Sequence, residues 1–204
     1  MSWSSPSPYN LRPRPLTFFY LCFGLAMFGL GEAILIASGA GVSPWTVLAD
    51  GIARNTGWSI GFSTMIISFA ILVLWIPLAQ KPGMGTILNA LIIAFMIDYS
   101  LPYLPKPSGL GWQLIQAAVG VLIVGLSSGV YLAAKLGPGP RDGLMTGLQR
   151  VTGMPIAWVR IAIEVAAVTS GWYLGGAVGA GTVLFALGVG PCVAVGFLMV
   201  RRFF

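Results

Sequence analysis

The sequence predicts an all-α integral membrane protein: six transmembrane helices arranged as two inverted three-helix repeats, each with a short amphipathic or re-entrant helix after its first span. Three observations predict it. Of 204 residues, 57% are hydrophobic and 8% charged, where a soluble domain carries roughly 45–50% and about 25%. Six apolar runs approach the roughly 20 residues needed to cross about 30 Å of hydrocarbon. The chain also repeats itself at a constant shift of 96 residues.

The elements follow in order. Residues 1–15 are polar and basic and read as a cytoplasmic segment. Apolar runs then occupy 16–38, 58–79, 86–104, 112–134, 156–174 and 181–200, separated by short stretches rich in Gly, Pro and charge. The first run follows basic residues and ends in Ala37, Ser38 and Gly39, as a secretory signal would. It is longer than a signal core of roughly 7–15 residues, however, and it has a counterpart later in the chain. With the N-terminus inside, Arg12, Arg14, Lys81, Lys135, Arg141, Arg150, Arg201 and Arg202 fall on the cytoplasmic side and only Arg54 and Lys106 outside. This asymmetry predicts that both termini are cytoplasmic. Trp58, Trp112, Trp158, Trp172 and Tyr173 lie near span ends, where amphipathic rings favour the headgroup layer.

The repeat aligns GVSPWTVLADGIARNTG from Gly41 with GPGPRDGLMTGLQRVTG from Gly137, and GMGTILNAL from Gly83 with GAGTVLFAL from Gly179, without a gap. Between 41–91 and 137–187, 17 of 51 positions are identical, matched Pro, Arg and Thr among them. This divides the chain into a first membrane repeat at 16–104, an external linker at 105–111 and a second repeat at 112–204. Three spans per copy is an odd number, so the second copy enters from the opposite face. Inverted repeats of this kind are a common transporter plan, with sites where the copies meet.

Ser43 before Pro44, and Gly139 before Pro140, read as N-caps with Pro at the first helical position. The short helices over 44–55 and 140–151 are too short to span. They either lie flat at opposite interfaces or dip in with their N-termini near midplane, where Ser43, Thr46, Arg141 and Asp142 would face a pathway. Arg141 and Asp142 replace Trp45 and Thr46 of the first copy.

Ionisable residues inside spans need partners or water. Arg160 and Glu164 are four apart on one helical face and can pair. Their counterparts Thr64 and Ser68 are small and polar, which suits a shared cavity. Glu164, Glu32 and Asp98 are candidate proton-coupling carboxylates; a structural ion pair, or for Asp98 an interfacial position, are the alternatives. Pairs such as Gly125 with Gly129, Gly143 with Gly147, and Gly171 with Gly175 allow close helix approach, within the chain or in a homo-oligomer. Gly188, Gly190 and Pro191 predict a loosened or bent sixth span. Cys22 and Cys192 fall in apolar runs and read as buried thiols.

The segments GVSPWTVLADGIARNTG, GMGTILNALIIAFMID and LGPGPRDGLMTGLQRVTGMPIAWVRIAIEVAAVTSGWYLGGAVGAGT resemble the bacterial YczE/YyaS/YitT membrane protein family, on its YczE-like side. The resemblance covers nearly the whole chain from about residue 16, with GPGPRDGLM its most specific portion. It implies a bacterial inner-membrane protein and brings no site residues with it.

The residues therefore point to a secondary transporter or exporter of a small polar solute, with proton coupling as an option. A channel built on two opposed half-helices and a non-transporting membrane scaffold or regulatory partner are the alternatives. The chain has no His and no Cys pair, and we find no nucleotide loop or nucleophile with a base. No cofactor, metal or enzymatic activity is expected. No basic cluster interleaved with aromatics suggests nucleic acid. The expected partners are lipid and solute.

Overall fold

The computed structural model describes residues 3–203. Among them are eight α-helices and no strand: α1 (Pro15–Ser38), α2 (Pro44–Thr56), α3 (Ile60–Leu74), α4 (Met84–Ser100), α5 (Leu110–Ala133), α6 (Pro140–Thr152), α7 (Ile156–Tyr173) and α8 (Ala180–Phe203). A 3-10 turn at Leu101–Tyr103 extends α4. Helices α1, α5 and α8, and α4 with its 3-10 turn, are each long and apolar enough to cross a membrane; α2 and α3 form a fifth candidate only if taken together across a 115° bend. The expected span over 58–79 is helical only over Ile60–Leu74. Beyond it the chain turns through Pro77 and through Ala79 at φ 48°, a conformation no helix continues. Helix α7 carries Arg160 and Glu164, and α8 runs through Pro191 as one helix.

The backbone repeats at the shift seen in the sequence. Helix α6 covers the same positions as α2, each starting with Pro at N1 and ending on a left-handed Gly, Gly57 or Gly153. Among the described residues, two other than glycine adopt positive φ, Ala79 and Lys135, and each has a positive-φ glycine at the equivalent place, Gly175 and Gly39. The turn geometry has thus outlasted the residue that favours it.

Helices α1 and α5 run antiparallel through small residues. A Cβ at Gly24 would come 2.9 Å from Tyr131 N and 3.1 Å from Ser127 O, and one at Gly120 would come 2.8 Å from Gly31 O and 2.9 Å from Leu35 N. These contacts are reciprocal, because residues 31 and 35 correspond to 127 and 131. Gly29 against Met96 on α4 and Gly125 against Cys192 on α8 form another equivalent pair. The Gly125 and Gly129 pair is therefore used inside the chain, by α8. The loops exchange backbone hydrogen bonds in the same reciprocal way: Gly85 N–H donates to Leu136 O at 2.7 Å, and Gly181 N–H to Ala40 O at 2.8 Å.

One pairing breaks the pattern. Helix α3 packs along α4, whereas α7 scarcely touches α8. In the first copy Asp98 accepts hydrogen bonds from Ser59 Oγ at 2.5 Å and Gly61 N–H at 2.8 Å. Gly61 sits so close that a Cβ would lie 2.2 Å from Ala94 O. The second copy has Pro155, Ala157 and Ala194 in place of Ser59, Gly61 and Asp98, and a Cβ at Gly190, the counterpart of Ala94, would meet nothing within 4 Å.

Gly120→Val should lower the thermal unfolding midpoint, since overpacking costs about 1–3 kcal/mol, while Gly111→Ala, in open space, should leave it unchanged. Thermal unfolding of the purified protein in detergent checks both.

Candidate functional site

The site is built where α2 and α6 begin. After α1 the chain folds back so that Ser43 and Thr46 reach Glu32, six residues before the end of α1, which is about 9 Å along the helix. The Ser43 and Thr46 hydroxyls both donate to Glu32 Oε2, at 2.9 and 2.8 Å, and lie 2.8 Å apart. All three residues are at most 1% exposed. Ser43 occupies the N-cap as expected, but its side chain serves Glu32 instead of the helix backbone. The Glu32 carboxylate thus faces the positive end of α2. Among the described residues, its second oxygen, Oε1, has no hydrogen-bond partner.

In the second copy Ser128 stands in place of Glu32 and Asp142 in place of Thr46. Asp142 sits in the first turn of α6 and accepts from Tyr131 Oη at 3.2 Å. Each short helix therefore starts beside one carboxylate, supplied by α1 in one copy and by the helix itself in the other. The start of α6 is pinned by Trp75, whose indole N–H donates to Pro140 O at 3.0 Å. That ring lies flush against Gly143, where a Cβ would be 2.0 Å from it.

The two starts meet. The Arg141 guanidinium lies over the Trp45 ring, 5.2 Å from its centroid, a cation–π contact between residues at equivalent positions of the two copies. A cavity of about 260 Å³ opens beside it, and its walls are equivalent in pairs: Pro44 and Pro140, Trp45 and Arg141, Thr64 and Arg160, Ser68 and Glu164, Ile93 and Val189. Arg160 and Glu164 pair at 2.8 Å. They line the cavity yet are 44% and 27% exposed, so it reaches the surface beside the gap between α7 and α8. Among the described residues, the Arg141 side chain has no hydrogen bond or ion pair.

The structure thus brings together Arg141, Asp142, Arg160, Glu164, Thr64 and Ser68 around one cavity, with Glu32, Ser43 and Thr46 in a buried cluster beside the start of α2. Asp98 stands apart, capping α3. Sequence reasoning missed Trp45, Asn89, Tyr131 and Trp75. Asn89 carried a readable signal, a lone amide inside an apolar run whose counterpart is Phe185. Among the described residues no group of His, Cys, Asp and Glu is placed to hold a metal.

The match to known proteins covers this whole arrangement. Residues 16–197 match the model of a family of unknown function, DUF6198. The chain belongs to that family. It is 38% identical to an uncharacterized protein of Haemophilus influenzae over 94% of this chain and 87% of the relative. It is 33% identical to the uncharacterized membrane protein YczE of Bacillus subtilis over 84% of this chain and 80% of the relative, and 25% identical to B. subtilis YyaS over 93% and 96%. The YczE-like resemblance read from the motifs stands, as does the coarser reading of a multi-pass membrane protein. No solved structure matches the chain.

Glu32→Leu should destabilise the protein by about 1–3 kcal/mol, since Ser43 can still donate to Thr46 Oγ1 but the Thr46 hydroxyl loses its acceptor. Glu32→Gln, which retains an acceptor, should cost less. Thermal unfolding of the two variants side by side separates them.

Proposed function

We propose that the protein is a secondary transporter of a small polar solute, built from two inverted three-span repeats, with the cavity at their seam as its solute site. The observation that carries this reading is the meeting of Trp45 and Arg141. Short helices lying flat at opposite faces of a bilayer would hold those residues about 30 Å apart; in contact, they are the inward-pointing N-termini of two half-helices. Irregular backbone at that depth is tolerated where it lines a cavity, and sites at the interface of inverted copies are characteristic of transporters.

The antiparallel packing of α1 on α5 supports the inversion. The positive-inside orientation is supported by packing too. Trp3, Ala133, Ala134 and Val200 share one cluster, and Arg150 bonds the carbonyl of Leu78. This gathers the N-terminal segment, Lys135, Arg150 and the Arg201 end of α8 at one end of the bundle. In this reading both termini are cytoplasmic and the membrane is the bacterial inner membrane.

The unequal packing of the copies supplies the motion. Helix α3 is latched to α4 by Asp98 while α7, carrying Arg160 and Glu164, stands away from α8. Two copies of one architecture in two packings are what a rocking transporter needs: α7 closes onto α8 as α3 already lies on α4, and the cavity is sealed on that side. Glu164 and Glu32 are the carboxylates placed to carry a coupled proton. A fixed pore and a scaffold have no such requirement.

Closure brings Ala157 beside Ala194, as Gly61 lies beside Asp98. Ala157→Cys with Ala194→Cys, on a background carrying Cys22→Ser and Cys192→Ala, should form an intramolecular disulfide under a membrane-permeant oxidant. Ser59→Cys with Asp98→Cys serves as the positive control. A control that links beside a test pair that does not would sink the transport reading. Unsaturable conductance in proteoliposomes would support the channel instead.

A further inference from the structure

The charges around the cavity narrow the class of solute. Four charged side chains line it, Arg141 and Arg160 against Asp142 and Glu164, so the lining is neutral overall while carrying both signs. Arg160 Nε donates to Glu164 Oε1, and among the described residues neither the second oxygen of Glu164 nor the terminal amino groups of Arg160 have a hydrogen-bond partner. Asp142 uses Oδ2 for Tyr131. Arg141, within electrostatic reach of Glu32, Asp142 and Glu164, gives none of its five donors to any described residue.

The half-helix N-termini are not open anion sites, since Glu32 stands at one and Asp142 at the other. Two guanidiniums line the cavity: Arg160 already gives its Nε–H to Glu164 and is 44% exposed, whereas Arg141, set over the Trp45 ring, is the one with every donor still to be used. A planar fork of donors suits a carboxylate or a similar oxyanion. A simple anion, however, would add net charge to a neutral lining whose inner end, at Arg141 and Asp142, is only part-exposed and carries a carboxylate, and a simple cation would face Arg141. Burying net charge is costly where water is scarce. A solute carrying one charge of each sign satisfies both halves of the lining and leaves the total at zero.

Resting on the cavity being the solute site, we infer that it takes a small zwitterion, the anionic group on Arg141 and the cationic group against Asp142 and Glu164. The apolar walls from Phe28, Ile93 and Val189 accept the body of the molecule between its two ends, in the manner of mostly apolar pockets with a few oriented polar groups.

Thermal unfolding of the purified protein with matched sets of compounds tests this. One set is L-leucine, 4-methylpentanoate and 3-methylbutylamine. The other is glycine betaine, 3,3-dimethylbutanoate and choline. A ligand that binds the folded state raises the midpoint in a saturable way. The zwitterion of at least one set should do so where its acid and its amine, at the same concentration, do not. Arg141→Gln should weaken that binding by about 10–100-fold, the worth of charge-assisted hydrogen bonds. Arg141→Lys, which keeps the charge but not the fork, should retain part of it.

An acid or an amine as effective as its zwitterion, or no response to either zwitterion, would overturn the inference. The Ala157 and Ala194 cross-link reads helix movement with no ligand at all. A protein that links but ignores zwitterions therefore loses this solute class alone, and one that binds them but never links loses the transport reading alone.

Discussion

Two irregular loops inside an apolar bundle carry carbonyl groups that must be hydrogen-bonded, and neither copy of the repeat bonds its own. Leu136 O, between α5 and α6, receives the Gly85 N–H from the start of α4; Ala40 O, between α1 and α2, receives the Gly181 N–H from the start of α8. Buried backbone groups left unpaired are costly, so each copy completes the other. The glycines around these bonds are set by the same need: a Cβ at Gly83 would lie 2.4 Å from Leu136 O, and one at Gly179 would lie 2.3 Å from Ala40 O. The folding back of α2 and α6, the meeting of their starts and the cavity between them all depend on this exchange.

On that symmetric backbone the polar groups are unequal. A helix start in a poorly solvated interior favours negative charge, and both copies provide it, by different routes. Glu32 reaches the start of α2 from α1, supported by two hydroxyls. Asp142 rides on α6 itself and leans on Tyr131. Beside that exchange, position 141 holds an arginine where the first copy has tryptophan. The two then face one another, a cation against a ring at matching positions of the sequence repeat. The equivalent walls of the cavity, Thr64 and Ser68 against Arg160 and Glu164, carry the same inequality outward to α7.

The inequality also extends to how the helices of the two copies pack. Asp98, with two hydrogen bonds and a glycine beside it, ties α3 to α4. Proline and two alanines at the matching places remove the hydroxyl, the carboxylate and the close-approaching glycine, and α7 stands free of α8. Helix α7 packs on α2 instead, where a Cβ at Gly171 would lie 2.4 Å from Leu48 N, and it bears the ion pair at the mouth of the cavity.

Local pattern made much of this legible. The start of each short helix was readable from Ser-Pro and Gly-Pro, and its end fell within one residue of the observed Thr56 and Thr152. The Arg160 and Glu164 pair follows from a spacing of four, and the polar face of α3 from its match to α7. Such features are fixed by neighbours along the chain, which is the range over which residue order acts directly. The contacts of Glu32 with Ser43 and Thr46, of Arg141 with Trp45, of Trp75 with Pro140, and the role of Asp98 as a latch lay beyond it. Each depends on how deeply a short helix turns back or how near two helices come, and those distances are set by glycine packing and backbone pairing between copies. The order of residues determined the elements, their repetition and the polarity of their faces; the tertiary structure alone decided which polar groups of distant segments meet, because such contacts act through space between segments that only packing brings together.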